Sequence, residues 1–206
     1  MKILEKKFYL KDTIQTAQML LGKLIVKKEK SGKITSGVIV ETEAYLGTND
    51  EACHAYKKNT GRSRFLFQDS GKSYVYFIYG NYYCFNVVTE GESIGAAVLI
   101  RAVEPLDGVD IMKKRRHNIS KPEYISNGPA KFCLAFGINK KHNELDLTNP
   151  ESEIGIYNTG KRNIEIMQSK RIGIVKSANL PYRFFIKDNP YVTKHKMNKD
   201  ATKLKI

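Results

Sequence analysis

The fold class predicted by this sequence is mixed α/β: a single domain in which short helices flank antiparallel strands. Three observations carry that reading. The 206 residues contain no Pro-, Gly- or Ser-rich linker that would divide them. Apolar residues alternate at period two in several runs and recur at helical spacing in others. Two pairs of strand-like runs are separated only by turn residues, Lys30-Ser31-Gly32-Lys33 and Gly80-Asn81, which joins neighbours antiparallel. A hydrophobic fraction of 41% suffices for a substantial core.

In chain order, Asp12 or Thr13 caps a helix carrying Ile14, Ala17, Leu20 and Leu21, and Gly22 stops it. Leu24 to Lys28 and Ile34 to Glu43 form a hairpin. On its second strand Val38, Val40, Thr42 and Ala44 share one face, and Ile39, Glu41, Glu43 and Tyr45 share the other. Two carboxylates and a tyrosine therefore point the same way. Gly47 to Gly71 is polar and reads as a long loop or a set of turns, a length that is usually functional or mobile. The next strand, from Ser73, has Tyr74, Tyr76 and Ile78 on one side and Val75, Phe77 and Tyr79 on the other. Gly80-Asn81 turns it back into Tyr82 to Val88, so Tyr79 stands at or beside a hairpin tip.

Gly95 to Val103 is a further strand with Ala97, Leu99 and Arg101 on one face, ended by Glu104-Pro105. Asp107 to Arg115 is helical, with Lys113-Lys114-Arg115-Arg116 at the end where cations suit the helix dipole. A second helix runs to Phe136 and stops at Gly137; Asn127 is its expected cap, and Pro129 fits its first turn. Short strands follow at Ile154 to Tyr157, Asn163 to Met167, Arg171 to Val175 and Tyr182 to Ile186. Past residue 193 the chain holds five lysines and one aspartate and reads as a flexible basic tail, 194–206, appended to a domain of residues 1–193.

The charge is lopsided: 35 Lys+Arg against 21 Asp+Glu give a net +14. Such a surplus suits phosphate backbones or other polyanions. The longest clean apolar run, Ala96 to Ile100, is too short to span a membrane, and the start Met1-Lys2-Ile3-Leu4-Glu5-Lys6-Lys7 lacks a signal-peptide core. The expected location is the cytoplasm, at the nucleoid if the cell is bacterial. Cys53, Cys84 and Cys133 lack Cys-x-x-Cys spacing, so reduced thiols are expected and neither a disulfide framework nor a zinc site is signalled. Adjacent Cys53 and His54 do not converge as ligands on a strand.

Taken in order, Val40-Glu41-Thr42-Glu43-Ala44-Tyr45-Leu46-Gly47, the downstream His54, Tyr74-Val75-Tyr76 with Ile78-Tyr79-Gly80, Cys84 with Asn86, Leu99-Ile100-Arg101-Ala102 with Glu104-Pro105, Gly128-Pro129 with Lys131, and Arg171-Ile172-Gly173 resemble the 3-methyladenine (alkyladenine) DNA glycosylases of the mammalian and bacterial type. No one piece is specific alone; together they span nearly the whole chain. The resemblance implies a curved antiparallel sheet with flanking helices and a protruding hairpin. It also implies a monomeric, cofactor- and metal-free enzyme that excises damaged purines from double-stranded DNA.

Carried over residue by residue, the resemblance makes Glu43 the general base and Arg101 the residue that helps hold its water. Tyr45, His54 and Tyr76 become the walls of the base pocket. Asn86 and Leu99 also contact the substrate. Tyr79 is the wedge that fills the gap left by the extruded nucleotide, with Tyr82, Gly128 and Lys131 at the DNA surface. The chemistry agrees: cleaving a glycosidic bond builds positive charge on the sugar and needs water at C1′, both served by an ionised carboxylate. From the residues alone Glu41 is as good a base as Glu43. Asn81, Asn127 and Ala97 depart from the residues commoner in the family, at positions able to alter lesion preference or DNA affinity.

Two other readings compete. In a metal-dependent nuclease Glu41, Glu43, Asp50 and Glu51 would hold Mg²⁺ beside a basic groove. In a non-catalytic nucleic-acid binder aromatic residues and positive charge would suffice.

Overall fold

The computed structural model describes residues 1–78, 80–160 and 163–204. Its elements are β1 (Lys2–Ile3), α1 (Lys6–Tyr9), α2 (Thr13–Leu20), β2 (Leu24–Lys28), β3 (Ile34–Tyr45), β4 (Ser73–Ile78), β5 (Tyr82–Thr89), β6 (Ala96–Pro105), α3 (Val109–Arg115), α4 (Pro129–Phe136), β7 (Ile154–Asn158), β8 (Ile166–Ser169), β9 (Arg183–Ile186) and β10 (Thr202–Lys203). The strands make one curved antiparallel sheet in the order β1-β7-β2-β3-β6-β5-β4, with β9 joining β3 to β8 and β8 pairing with β10. The molecule is thus the expected single mixed α/β domain.

β3 is the hub. One of its edges pairs with β6 along most of its length. Its other edge pairs first with β2, at residues 34 to 38, and then with β9 at Glu41, Thr42 and Glu43. Where the partner changes, the β3–β6 register shifts twice, and Val40 on β3 and Arg101 on β6 are left without a cross-strand partner. Irregularities of this kind sharpen local twist and re-aim side chains. The face of Ala44, Val75, Phe85, Val87, Val98 and Ile100 packs on α2 and α4 residues such as Leu20 and Phe132 to form the main core.

Local chemistry explains the element ends. Asp12 caps α2 by accepting from Gln15 N–H at 2.9 Å, and Gly22 takes φ +80° just after the helix. Asn127, the expected cap of α4, does not cap it. Gly128 holds that position without a side-chain bond, while Asn127 Oδ1 accepts from Lys131 Nζ at 2.9 Å. In the β4–β5 hairpin Ile78 pairs with Tyr82 and Gly80 takes φ +72°. Tyr79 lies outside the described residues.

Two expectations about the C-terminal part fail. Arg171 to Val175 is not a strand: Gly173 has φ +74°, Val175 is 91% exposed, and the Ile172 N–H donates to Glu43 instead of to a ladder. Residues 194 to 204 are not a free tail either. They hold a 3-10 turn at Lys196–Asn198, and β10 pairs with β8 at Thr202↔Gln168 and Lys203↔Met167. Composition misled here because a few contacts suffice: β10 pairs with β8, Leu204 packs on the main core and Ala201 on the cluster of Val38, Val40 and Phe185. No helix among the described residues is long and apolar enough to cross a membrane.

Candidate active site

Directly paired residues in antiparallel strands project to the same face. Glu43 of β3 is paired with Leu99 of β6, Leu99 with Asn86 of β5, and Asn86 with Tyr74 of β4. Beside that row Tyr45 pairs with Ala97 and Ala97 with Val88, while Tyr76 pairs with Cys84. Period two adds Glu41 and Arg101 to the same side. One face of four adjacent strands therefore collects the expected base, its arginine, the pocket aromatics and Asn86.

Above this face sits the segment between β3 and β4, whose buried Cys53, Ala55 and Leu66 pack on Tyr74, Val88 and Ala97. Between them is a cavity of about 90 Å³, lined by Tyr45, His54, Tyr74, Tyr76, Asn86 and Ala97 among others. His54 and Tyr76 meet edge to face, with ring centroids 4.6 Å apart, and build one wall together. Tyr45 is covered by the Arg171 guanidinium at 4.5 Å from its centroid. Leu99, 3% exposed, stands on the same face between Glu43 and Asn86. A larger cavity of about 760 Å³ beside α2 is lined by Gln15, Met19, Leu21, Lys23, Asn158 and Ile164 among others and, among the described residues, carries no acid–base constellation.

Glu43 is fully buried and bonded to Tyr45 of the cavity wall. Its Oε1 accepts from the Ile172 N–H at 2.9 Å and lies 3.1 Å from Arg101 Nη1, while Tyr45 Oη donates to Oε2 at 2.7 Å. Oε2 thus keeps an acceptor position on the Tyr45 side. Glu41, also fully buried, accepts from Arg101 Nε at 3.0 Å, Arg183 Nε at 2.6 Å and the Thr193 N–H at 2.8 Å. Burial pushes its carboxyl up, but the Arg101 and Arg183 charges and the Thr193 bond outweigh it, and its pKa lies below the ordinary value. Burial likewise opposes the Arg101 charge, yet Glu43 and Glu41 together raise its pKa.

Charges in the loop are also committed. Arg171 grips both oxygens of buried Asp50, at 2.5 and 2.7 Å, and donates to the Ala44 carbonyl at 2.9 Å. Its Nε has no partner among the described residues. The pair fixes the loop after β3 and the back of Tyr45 at once. The four acids of the nuclease reading do not converge: Glu41, Glu43 and Asp50 each face a buried guanidinium, and Glu51 reaches toward Lys176 at 4.0 Å. Among the described residues no group of three His, Cys, Asp or Glu side chains is placed to hold a metal ion.

His54 Nδ1 is 2.9 Å from Tyr74 Oη, and burial, helped by the Arg62 charge, lowers its pKa to about 4. The ring is therefore neutral near pH 7. Cys53 is a free thiol whose pKa burial raises to about 11, so it is not a thiolate nucleophile. Asn86 Nδ2 donates to the Tyr74 carbonyl at 3.0 Å, which fixes the amide orientation and leaves Oδ1 on the other side. Of the expected DNA-contacting residues, Tyr82 is 40% exposed at the start of β5, Gly128 opens α4, and Lys131 stands in its first turn.

Sequence reasoning missed Arg183, Thr193 and the Ile172 N–H, and it named Asp50 only as a metal ligand of the nuclease reading and not as the partner of Arg171. Only Arg183 left a signal, a charge inside the otherwise apolar and aromatic run Tyr182 to Ile186.

Comparison with known proteins accords with this geometry. The family model described as methylpurine-DNA glycosylase matches residues 7–190. A protein of Francisella tularensis named "Putative 3-methyladenine DNA glycosylase" is 48% identical over 184 residues, covering 88% of this chain and 94% of its own. Proteins of the same name from Clostridium tetani and Clostridium botulinum are 44% and 43% identical, over 94% and 93% of this chain and 100% and 99% of theirs. With its sheet face of carboxylates and aromatics and a family match over most of its length, this chain belongs to the methylpurine-DNA glycosylase family.

Proposed function

We propose that the protein is a monofunctional DNA glycosylase of base excision repair, acting as a monomer without metal or cofactor. Its substrates are alkylated or deaminated purines of the 3-methyladenine, 7-methylguanine, hypoxanthine and ethenoadenine type in duplex DNA. The observation that carries the proposal is the row Glu41–Arg101–Glu43–Tyr45, which ends at Tyr45 in the wall of an aromatic cavity.

The target bond lies inside the base stack, so the nucleotide must be extruded at a cost of a few kcal/mol. Tyr79 is proposed as the wedge that holds the gap, with Tyr82, Gly128 and Lys131 on the flanking backbone. The extruded purine stacks between Tyr45 and the His54–Tyr76 wall. A cationic alkylpurine gains about 0.5–2 kcal/mol from a favourable ring face. Water attacks C1′, its proton passes to Glu43 Oε2, and the C1′–N9 electron pair leaves with the base, which departs neutral if it was cationic. Arg101, held through Nε by Glu41, keeps Nη1 on Glu43 and steadies the ionised carboxylate. Leu99, on the same face between Glu43 and Asn86, contacts the base together with Asn86.

A lyase step would need an amine that forms a Schiff base with the sugar. The one buried lysine among the described residues, Lys27, is engaged by Glu29 and Glu153 away from this face, so the abasic product is expected to stay unnicked. The test is incubation of purified protein with alkylated duplex in the presence of a chelator. Release of free base without strand cleavage supports the reading; strand cleavage that EDTA abolishes would select the nuclease instead.

A further inference from the structure

The C-terminal segment beyond the matched residues 7–190 meets the rest of the molecule at a cluster of cations. Three ammonium groups surround one half-buried ring: Lys194 Nζ lies 5.0 Å from the Tyr124 centroid, Lys131 Nζ 5.6 Å and Lys121 Nζ 5.9 Å. They come from three separate stretches: the residue before a 3-10 turn, the first turn of α4, and the segment after β9. Among the described residues no carboxylate lies within 4.0 Å of any of them. Arg116 adds a fourth charge, lowering the Lys131 pKa after burial has done so. A ring face offsets part of the mutual repulsion. The rest is relieved when an anion arrives.

The cluster is tied to the catalytic row by its neighbours. Thr193, next to Lys194, donates its N–H to Glu41 Oε2 at 2.8 Å. Asn127, which accepts from Lys131, pairs through its backbone with Ala102, the residue after Arg101. The cations are therefore linked to the row of Glu41 and Arg101 through Thr193 and Asn127.

We propose that Tyr124 with Lys121, Lys131 and Lys194 forms a phosphate platform that seats the backbone of the duplex beside the extruded nucleotide. The proposal rests on the glycosylase reading for its choice of polyanion. Lysines supply point charges to phosphate oxygens, and the Tyr124 hydroxyl, which accepts from Lys194 at 3.3 Å, still has its own proton to donate. Lys194 makes the C-terminal segment part of the DNA-binding surface.

The test is fluorescence anisotropy of a labelled duplex carrying a tetrahydrofuran abasic analogue, titrated with wild type and with Lys121→Gln/Lys194→Gln across a range of KCl concentrations. Both lysines are exposed, so folding is not at stake. Each lost phosphate contact should flatten the log–log salt slope by about 0.9, and binding at physiological salt should weaken roughly tenfold. Lys30→Gln/Lys33→Gln removes the same charge from the β2–β3 turn, outside the cluster around Tyr124, and should change the slope by much less. Equal slopes for the two double variants, or no change from wild type, overturn the platform. Base release is assayed separately: a changed slope without base release leaves the platform standing and defeats the glycosylase reading, and base release with an unchanged slope does the reverse.

Discussion

Glu41 and Glu43 project from the same side of β3 and share one guanidinium, Arg101 reaching Glu41 through Nε at 3.0 Å and Glu43 through Nη1 at 3.1 Å. Their surroundings differ on the far side. Glu41 is closed off by Arg183 and the Thr193 N–H, whereas Glu43 meets the cavity through the Tyr45 hydroxyl. The same residue type thereby meets two surroundings: Glu41 is enclosed by two guanidiniums and a backbone N–H, and Glu43 turns Oε2 toward a residue of the cavity wall.

Glu43→Gln should therefore keep charge-driven DNA affinity while base release falls by roughly 10²-fold or more, the usual effect of losing a positioned general base. Chromatography of free base from alkylated duplex, alongside anisotropy, measures both. Release at near wild-type rate would remove Glu43 from the mechanism.

Glu41→Gln should act first on stability. It leaves buried Arg183 without its carboxylate and Arg101 with Glu43 alone, and breaking such a group by removing one partner costs about 3–5 kcal/mol. Because the folded Glu41 pKa is lowered, its stabilisation is fully present above the unfolded value of about 4.3 and is lost as pH falls through the folded value. Urea unfolding should show a wild-type advantage that is constant at neutral pH and shrinks in strong acid. An advantage independent of pH would contradict the ion-pair account.

His54 is expected to stay neutral until well below its ordinary range. Its folded pKa of about 4 lies below the unfolded value of about 6.5, so between those limits the unfolded chain binds more protons and stability declines as pH drops through the window. An NMR titration of the ring that gave a midpoint near 6.5 would contradict the buried wall position.

Tyr79→Ala should weaken binding to an abasic analogue and slow excision from a fully paired duplex more than from an easily opened mismatch, because extrusion is the step a wedge assists. Excision rates on the two substrates decide it; equal losses count against the wedge.

Asn86 should govern which purines are refused. It lines the cavity with its amide fixed by the Tyr74 carbonyl; on the proposed reading the minor-groove edge of the extruded purine faces this amide, so that the 2-amino group of guanine would collide and the hydrogen of hypoxanthine would not. Asn86→Ala or Asn86→Ser should raise release of guanine relative to hypoxanthine even if total activity falls. A proportional drop for every base would make Asn86 a structural amide only.

Much of this was legible in the chain. Period two by itself puts Glu41, Glu43 and Tyr45 on one side of a strand, Ala97, Leu99 and Arg101 on one side of another, and Cys84 and Asn86 on one side of a third, because alternation is a property of the extended backbone. Turn chemistry fixes the hairpins and Gly22 the end of α2 for the same local reason. What the sequence cannot say is which sides coincide. That was decided by register: the pairing of Glu43 with Leu99 and of Leu99 with Asn86 stacks the three sets on one face, and the shifts at Val40 and Arg101 coincide with the arginine beside both acids. Long-range partners were invisible too. Arg171 reaches Asp50 across 121 residues and Arg183 reaches Glu41 across 142, and the Thr193 N–H and Asn198 draw an apparently loose basic tail onto a buried charge. No local pattern encodes those contacts, since a buried charge needs an opposite charge near it in space and not in the chain.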